Sequence, residues 1–282
     1  MKNIKSTLTK FVIASLTLMS FASCTKIIDV EVDPSNEKLV INAILTTDTT
    51  SHIVTLSRSI DYFSVGDAPV VSNAKVSVID NLGNQIEFAE NPEKPGEYKS
   101  DENSYGIEGN TYTLNVSLET AVGGYDSYQA TDVLNPTPIL DSIKIFKDPR
   151  GFSQLLGYFQ DSPEEDFYMC WYSKNDTLKN HLNSERYIIS DKVINGLYFD
   201  GIPVGFLEFD EGDPLPGSEI KVFISGISEE HFQFLADFSQ EAQGQNPLFS
   251  GPPANISTNL NHDAAGFFAT YSTTTATYIV PE

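Results

Sequence analysis

The stretch from Thr111 to Leu118 alternates without interruption: Tyr112, Leu114, Val116 and Leu118 are apolar, while Thr111, Thr113, Asn115 and Ser117 are polar. A period of two puts one set in a core and the other in water, so the stretch predicts a half-buried β-strand. Weaker versions recur upstream. Val54 and Leu56 share a face within His52–Arg58, and Val76 and Val78 alternate with Lys75 and Ser77 before Asp80. Asn81-Leu-Gly-Asn84 then reads as a turn, and Ile86 and Phe88 point inward on the returning strand, which is a hairpin pattern. Pro95-Gly96 marks another turn before Tyr98. Leu39–Leu45 has few polar breaks and predicts a strand buried on both faces. The approach Ile107-Glu-Gly109-Asn-Thr-Tyr112 resembles a tyrosine corner, in which a phenol bonds back to the upstream backbone; a plain core tyrosine fits it too. Tyr125–Thr131 completes about seven short strands at sandwich spacing.

The fold class expected is therefore mainly β, with an immunoglobulin-like β-sandwich over residues 38–134. Asn135-Pro-Thr-Pro138 reads as a stiff linker. A second β-rich domain is expected over 139–282, with strands at Ile139–Phe146, Leu156–Gln160, Phe167–Tyr172, Arg186–Ser190, Ile202–Phe209, Ser218–Ile227, Gly266–Tyr271 and Thr277–Val280. One helix is predicted over 229–243. Ser228 can cap it, Glu229 and Glu230 suit its positive end, and Gly244 can stop it. His231, Phe234, Leu235 and Phe238 form its apolar stripe, and the loop Asn246–Pro253 follows.

The amino-terminal end obeys a different logic. Lys2, Lys5 and Lys10 precede an apolar run, Phe11–Phe21, and Phe21-Ala-Ser-Cys24 follows. Eleven helical residues span only about 16 Å, against a hydrocarbon core of ~30 Å. This predicts a signal peptide over 1–23, cleaved before a lipidated Cys24, and a tether over 24–37. Attachment to a lipid bilayer through acylated Cys24 follows as an expected partnership, with palmitate-like chains. No intrachain disulfide is then available, and Cys170, inside Phe167-Tyr-Met-Cys-Trp-Tyr172, is expected in the core.

Losing Lys2, Lys5 and Lys10 but no acid moves the formal net charge from −22 to −25. Such a field repels phosphate, which disfavours nucleic acid and docking on anionic lipid heads, while permitting divalent cations.

Catalytic residues are expected to be none. His52, His181, His231 and His262 lack metal-ligand spacing, and no nucleophile elbow, P-loop, C-x-x-C or G-x-G-x-x-G is present. His262-Asp263 with a distant serine keeps a hydrolase open as the minor alternative. No metal or cofactor is assigned. Asp210-Glu-Gly-Asp213 and Ser162-Pro-Glu164-Glu165-Asp166 read as acidic turns, with a hard-cation loop as the alternative. Phe167, Tyr168, Trp171, Tyr172, Tyr198 and Phe199 would be core residues, or a stacking platform for a glycan.

Several short patterns coincide in order. They include Leu56-Ser-Arg58-Ser59, Ala74-Lys-Val-Ser-Val78, Gly96-Glu-Tyr98, Gly109-Asn-Thr-Tyr112-Thr-Leu114 and Pro138-Ile-Leu-Asp141-Ser142-Ile143. Asp166-Phe-Tyr168, Ser228-Glu-Glu-His-Phe232, Asn246-Pro-Leu-Phe249, Pro253-Ala-Asn255-Ile-Ser-Thr-Asn259 and Gly266-Phe-Phe268 follow. Together they resemble the bacteroidete lipoprotein family catalogued as domain of unknown function 4249, over residues 24 to about 270. The resemblance carries no established activity. It implies an outer-membrane lipoprotein on the periplasmic face or cell surface, a non-enzymatic accessory or binding partner of a TonB-dependent nutrient transporter. An independent surface glycan- or peptide-binding module is the alternative. The acids Asp29, Glu31 and Asp33 resemble the surface-export signals of such bacteria, and Asp48-Thr49-Thr50, Asp141-Ser142-Ile143 and Asp176-Thr177-Leu178 match their O-glycosylation pattern, with Thr49 and Thr177 as candidate sites.

Overall fold

Seven strands precede residue 134: β1 (Leu39–Thr46), β2 (Ile53–Arg58), β3 (Lys75–Asp80), β4 (Gln85–Glu90), β5 (Glu97–Ser100), β6 (Thr111–Val122) and β7 (Tyr125–Val133). The computed structural model describes residues 37–60, 66–147, 153–179, 182, 185–192, 195–207, 214–242 and 256–282. The signal segment, Cys24, His181, Asp210–Asp213 and the Asn246–Pro253 loop lie outside them. The remaining elements are β8 (Leu140–Lys147), β9 (Ser153–Gln160), β10 (Phe167–Lys174), β11 (Thr177–Lys179), β12 (Tyr187–Ser190), β13 (Tyr198–Phe206), β14 (Glu219–Ile227), α1 (Glu229–Ala242), β15 (Ala265–Tyr271) and β16 (Thr274–Ile279). The chain is mainly β, as its alternation requires.

Hydrogen bonding in the first sheet is continuous through eight strands, in the order β15-β1-β2-β5-β4-β3-β6-β7. Its inward residues meet in one cluster that includes Leu39, Ile41, Leu56, Val78, Tyr98, Leu114, Tyr128 and Phe268. The β6 alternation appears as expected, with Tyr112, Leu114, Val116 and Leu118 buried. The β3–β4 hairpin pairs Val76 with Phe88, and Asp80 Oδ1 accepts from the amides of Leu82 and Asn84 to shape its turn. The tyrosine corner is present: Tyr112 Oη accepts from the Ile107 amide at 2.7 Å, and Gly109 takes the positive φ of 84° that the intervening turn demands.

One expectation is corrected. β1 buries Leu39, Ile41, Ala43 and Leu45 but leaves Asn42 exposed and Ile44 46% exposed, so it is covered on one face only. The strands covered on both faces lie further along. In β10, Tyr168, Cys170 and Tyr172 face one cluster, while Phe167 and Met169 face another, joined by a half-buried Trp171. That double burial explains its unbroken apolar run. Burial pushes the Cys170 thiol pKa up, consistent with a core cysteine.

Two sheets form the next layer. The order β13-β9-β8 makes one, and β11-β10-β14-β16 the other, with β12 also pairing β10. Leu140, Leu155, Phe159, Phe199 and Val204 of the smaller sheet pack on Tyr168, Cys170, Val222 and Ile224 of the larger. The outer face of β10 and β14 packs on α1 and β15 through Phe167, Met169, Ile227, Phe234, Leu235, Phe267 and Ala269. Ser228 caps α1 as expected: its hydroxyl accepts from the His231 amide at 3.2 Å. His231, Phe234 and Leu235 are buried.

β7 ends and β8 begins on either side of the Asn135–Pro138 segment, but β15 crosses back. It runs parallel to β1 from Val40↔Ala265 to Thr46↔Tyr271. Gly266 makes this approach possible. It holds φ at 97°, and a Cβ there would lie 2.0 Å from the Ile41 carbonyl oxygen. The linker is itself clamped. Asn135 Nδ2 donates to Ile227 O, the Gly226 amide donates to Thr137 Oγ1, and Thr274 Oγ1 donates to Pro138 O.

The open edges of the eight-stranded sheet, β7 and β15, are joined by side chains rather than by a ladder. Asp132 Oδ2 accepts from the Thr270 amide at 2.6 Å and from Thr270 Oγ1 at 3.1 Å. Asn259 Nδ2 donates to Thr131 O and Phe268 O. Burial raises the Asp132 pKa from 3.8 to about 6, against the lowering effect of its bonds from Ser228 and Thr270. The folded state therefore holds a proton there that the unfolded chain releases, so this contribution to stability is complete below about pH 3.8 and lost as pH rises through about 6. We expect Asp132→Asn to gain about 2 kcal/mol relative to wild type between pH 4.5 and pH 7, read from denaturant midpoints. An offset that does not change with pH would contradict this reading.

Candidate functional site

Two polar constellations stand out among the described residues. The first gathers where β9 ends, β10 begins and β12 ends. Asp161 follows β9, Asp166 precedes β10 and Asp191 follows β12. The pairing of β10 with β12 runs from Phe167↔Ser190 to Cys170↔Tyr187, which brings the residues flanking Phe167 and Ser190 together. One carboxylate oxygen from each acid lies within 4.8 Å of the others. At that spacing two full charges repel by roughly 3 kcal/mol at an effective dielectric of ~20.

Local donors hold the carboxylates in place. Tyr168 Oη donates to Asp161 Oδ1 at 2.5 Å and the Gly196 amide to Asp161 Oδ2 at 2.9 Å. Ser162 Oγ donates to Asp166 Oδ2, and the Asp166 amide donates to Asp191 Oδ1 at 2.8 Å. Asp191 is completely covered, though at shallow depth, and its Oδ2 has no hydrogen-bond partner. Burial and the neighbouring carboxylates raise its pKa to about 6. The nearby ammonium of Lys192 bonds elsewhere, to Glu165 at 2.9 Å and Glu229 at 3.3 Å. A cleft of about 560 Å³ opens beside the cluster, lined by Asp161, Ser162, Glu164, Glu165, Asp166 and the Asn135–Pro138 segment.

The second constellation lies between the outer faces of β1 and β15 and helix α1. Asn42, Ile44, Met169, Arg186, His231 and Tyr271 are among the residues lining a small pocket of about 60 Å³. The His231 ring stacks on Phe267 at 5.0 Å, and its Nδ1 has no partner. Burial, with the Arg186 charge, pushes its pKa down to about 3, so the ring is neutral at physiological pH. Arg186 sits with Cζ 4.1 Å from the Trp171 ring centroid, but its Nε and Nη1 are buried without acceptors. Two covered guanidinium nitrogens without acceptors are costly, so the pocket suits a carboxylate on a small apolar body.

The singled-out residues scatter. His52 is buried, with Nε2 3.2 Å from Ser104 O, and desolvation lowers its pKa. His262 is exposed and stacks on Tyr125 at 3.9 Å, while Asp263 pairs with Lys38 at 2.7 Å. Among the described residues, no serine or cysteine lines the His231 pocket. Phe167, Tyr168, Tyr172 and Phe199 are buried, Tyr198 is 48% exposed, and Trp171 stacks on Phe223; these aromatics form no common exposed platform. Thr49 and Thr177 are both exposed, in the β1–β2 loop and at the start of β11. The acidic stretch Ser162–Asp166 contributes Asp166 to the triad, but Asp161, Asp191 and Arg186 were not anticipated. The available signal for Arg186 was its rarity: one of three arginines, leading into the apolar run Tyr187-Ile-Ile189.

Propionate supplies the matching probe. It is expected to stabilise the protein saturably, by about 1.4 kcal/mol at ten times its Kd, and to have no such effect on Arg186→Met. Equal stabilisation of both proteins, or of neither, would contradict an anion site.

The family model described as Domain of unknown function (DUF4249) matches residues 25–277. No curated protein shows a significant match to the chain.

Proposed function

Because the chain belongs to the family described as Domain of unknown function (DUF4249), we infer a role for it as a lipid-anchored, non-enzymatic envelope protein, an accessory or binding partner of a TonB-dependent nutrient transporter at the outer membrane. The observation that carries this reading is the amino-terminal sequence: a cationic start, a short apolar run and small residues ending at Cys24, only thirteen residues before Glu37. Among the described residues no helix is long and apolar enough to cross a membrane. Acyl chains on Cys24 supply the attachment, at about 0.8 kcal/mol per buried CH₂, and two or three chains hold stably. A body whose charge is strongly negative stands off from anionic lipid heads, leaving its surfaces to protein partners.

A second reading, an independent ligand-binding module, is favoured by the unsatisfied Arg186 and His231 atoms in an aromatic pocket. It points to a peptide or organic acid rather than a glycan, since Phe167, Tyr168, Tyr172 and Phe199 of the candidate stacking set are buried. The propionate titration addresses that reading separately.

Growth with an alkyne-tagged palmitate is the direct test of anchoring. The wild-type chain is expected to carry the label and sediment with outer membranes, while Cys24→Ala is unlabelled and retained with its signal segment. An unlabelled wild type would remove the anchor. Mild detergent solubilisation is then expected to co-purify an outer-membrane β-barrel, and its absence after crosslinking would remove the accessory role.

A further inference from the structure

We propose that Asp161, Asp166 and Asp191 form a binding site for a divalent cation, with Ca²⁺ preferred. Three hard oxygen donors converge within 4.8 Å of one another. Oxygens about 2.3–2.6 Å from a calcium ion span that range across its shell, whereas Mg²⁺ demands a tighter octahedron at about 2.0–2.1 Å.

The proximity of acids alone would not single out this place in so acidic a chain. The independent observation is Asp191. Its side chain is fully buried, its Oδ1 is occupied by the Asp166 amide, its Oδ2 has no hydrogen-bond partner, and the carboxylate brings an oxygen within 4.8 Å of one from each of the other two acids. A covered anionic oxygen without a donor is expensive, and a cation at the centre satisfies it together with its neighbours. The surrounding bonds fit a ligand set fixed in advance. Tyr168, Gly196, Ser162 and the Asp166 amide orient the three carboxylates from outside. Lys192, next in sequence to Asp191, is drawn off by Glu165 and Glu229 and does not fill the role. The adjacent cleft provides the way in, and Glu164 and Glu165 along its wall add negative field on the approach. A bound cation would tie the β9–β10 loop to the end of β12, and the cleft beside it reaches the clamped Asn135–Pro138 segment.

The competing explanation is a proton shared within the triad. Terbium separates the two, because Tyr168 Oη lies 2.5 Å from Asp161 Oδ1 and its ring would sensitise a bound lanthanide. The mature protein in detergent, stripped with EDTA, is titrated with Tb³⁺ under tyrosine excitation and then with Ca²⁺ or Mg²⁺. We expect saturable emission, displaced by Ca²⁺ at a concentration at least tenfold lower than by Mg²⁺. We also expect Tm to rise by roughly 5–10 °C at a Ca²⁺ concentration near 100 times Kd. Asp191→Asn and, separately, Asp166→Asn should lose both effects while keeping the wild-type circular dichroism spectrum, and Glu119→Gln, an exposed acid elsewhere, should lose neither. The proposal is overturned if the wild type shows no saturable emission and no calcium-dependent Tm shift. It is equally overturned if both aspartate variants respond as the wild type does. Should one aspartate variant fail to fold, the other carries the comparison.

Discussion

The fold depends on where one seven-residue strand, β15, is allowed to lie. Its alternate side chains serve different cores: Phe268 enters the cluster inside the eight-stranded sheet, whereas Phe267 and Ala269 enter the cluster beneath α1. Its backbone pairs in parallel with β1, at the opposite end of the described chain. A parallel partner so distant in sequence demands a large loop-closure cost, recovered only by burial on both faces. Gly266 is the point at which the two backbones come too close for any side chain. Asp132 then ties β15 to the far edge of the sheet, so that neither edge is left as an open template.

This arrangement explains which parts of the fold could be read in advance. The strands β3, β4 and β6 rest on local alternation and local turns, and the sequence states them directly in Val76, Phe88 and Leu114. The Ser228 cap and the α1 stripe are local too. β1 misled because Val40 and Ile44 are apolar on the face that is left partly open, so composition overstated its burial. Conversely, β10 declared its double burial through an unbroken aromatic run, although nothing in that run says which layers cover it. The return of β15 to β1 leaves almost no local trace, because a glycine in a strand has several causes.

The polar sites follow the same logic. Asp161, Asp166 and Asp191 are separated by up to thirty residues and converge only because β12 pairs with β10. Each occupies a strand terminus, where an aspartate ordinarily signals nothing beyond a turn. Arg186 and His231 meet because α1 lies across the same sheet. Both sites are thus products of topology, and both sit against the elements that join the first half of the chain to the second. Amino-terminal anchoring belongs to another level of description. It is legible in the sequence because a signal segment is recognised by charge, length and small residues rather than by tertiary packing.

If β15 is the shared wall of two cores, it opens only when the whole body unfolds. Native-state hydrogen exchange of the backbone amides measures this directly. The amides of Ile41–Leu45 and Phe267–Thr270 should exchange together, at the slowest rate in the protein and with the free energy of global unfolding. Exchange of Phe267–Thr270 well ahead of Ile41–Leu45, with β6 still protected, would show that β15 is a detachable edge and would contradict the account.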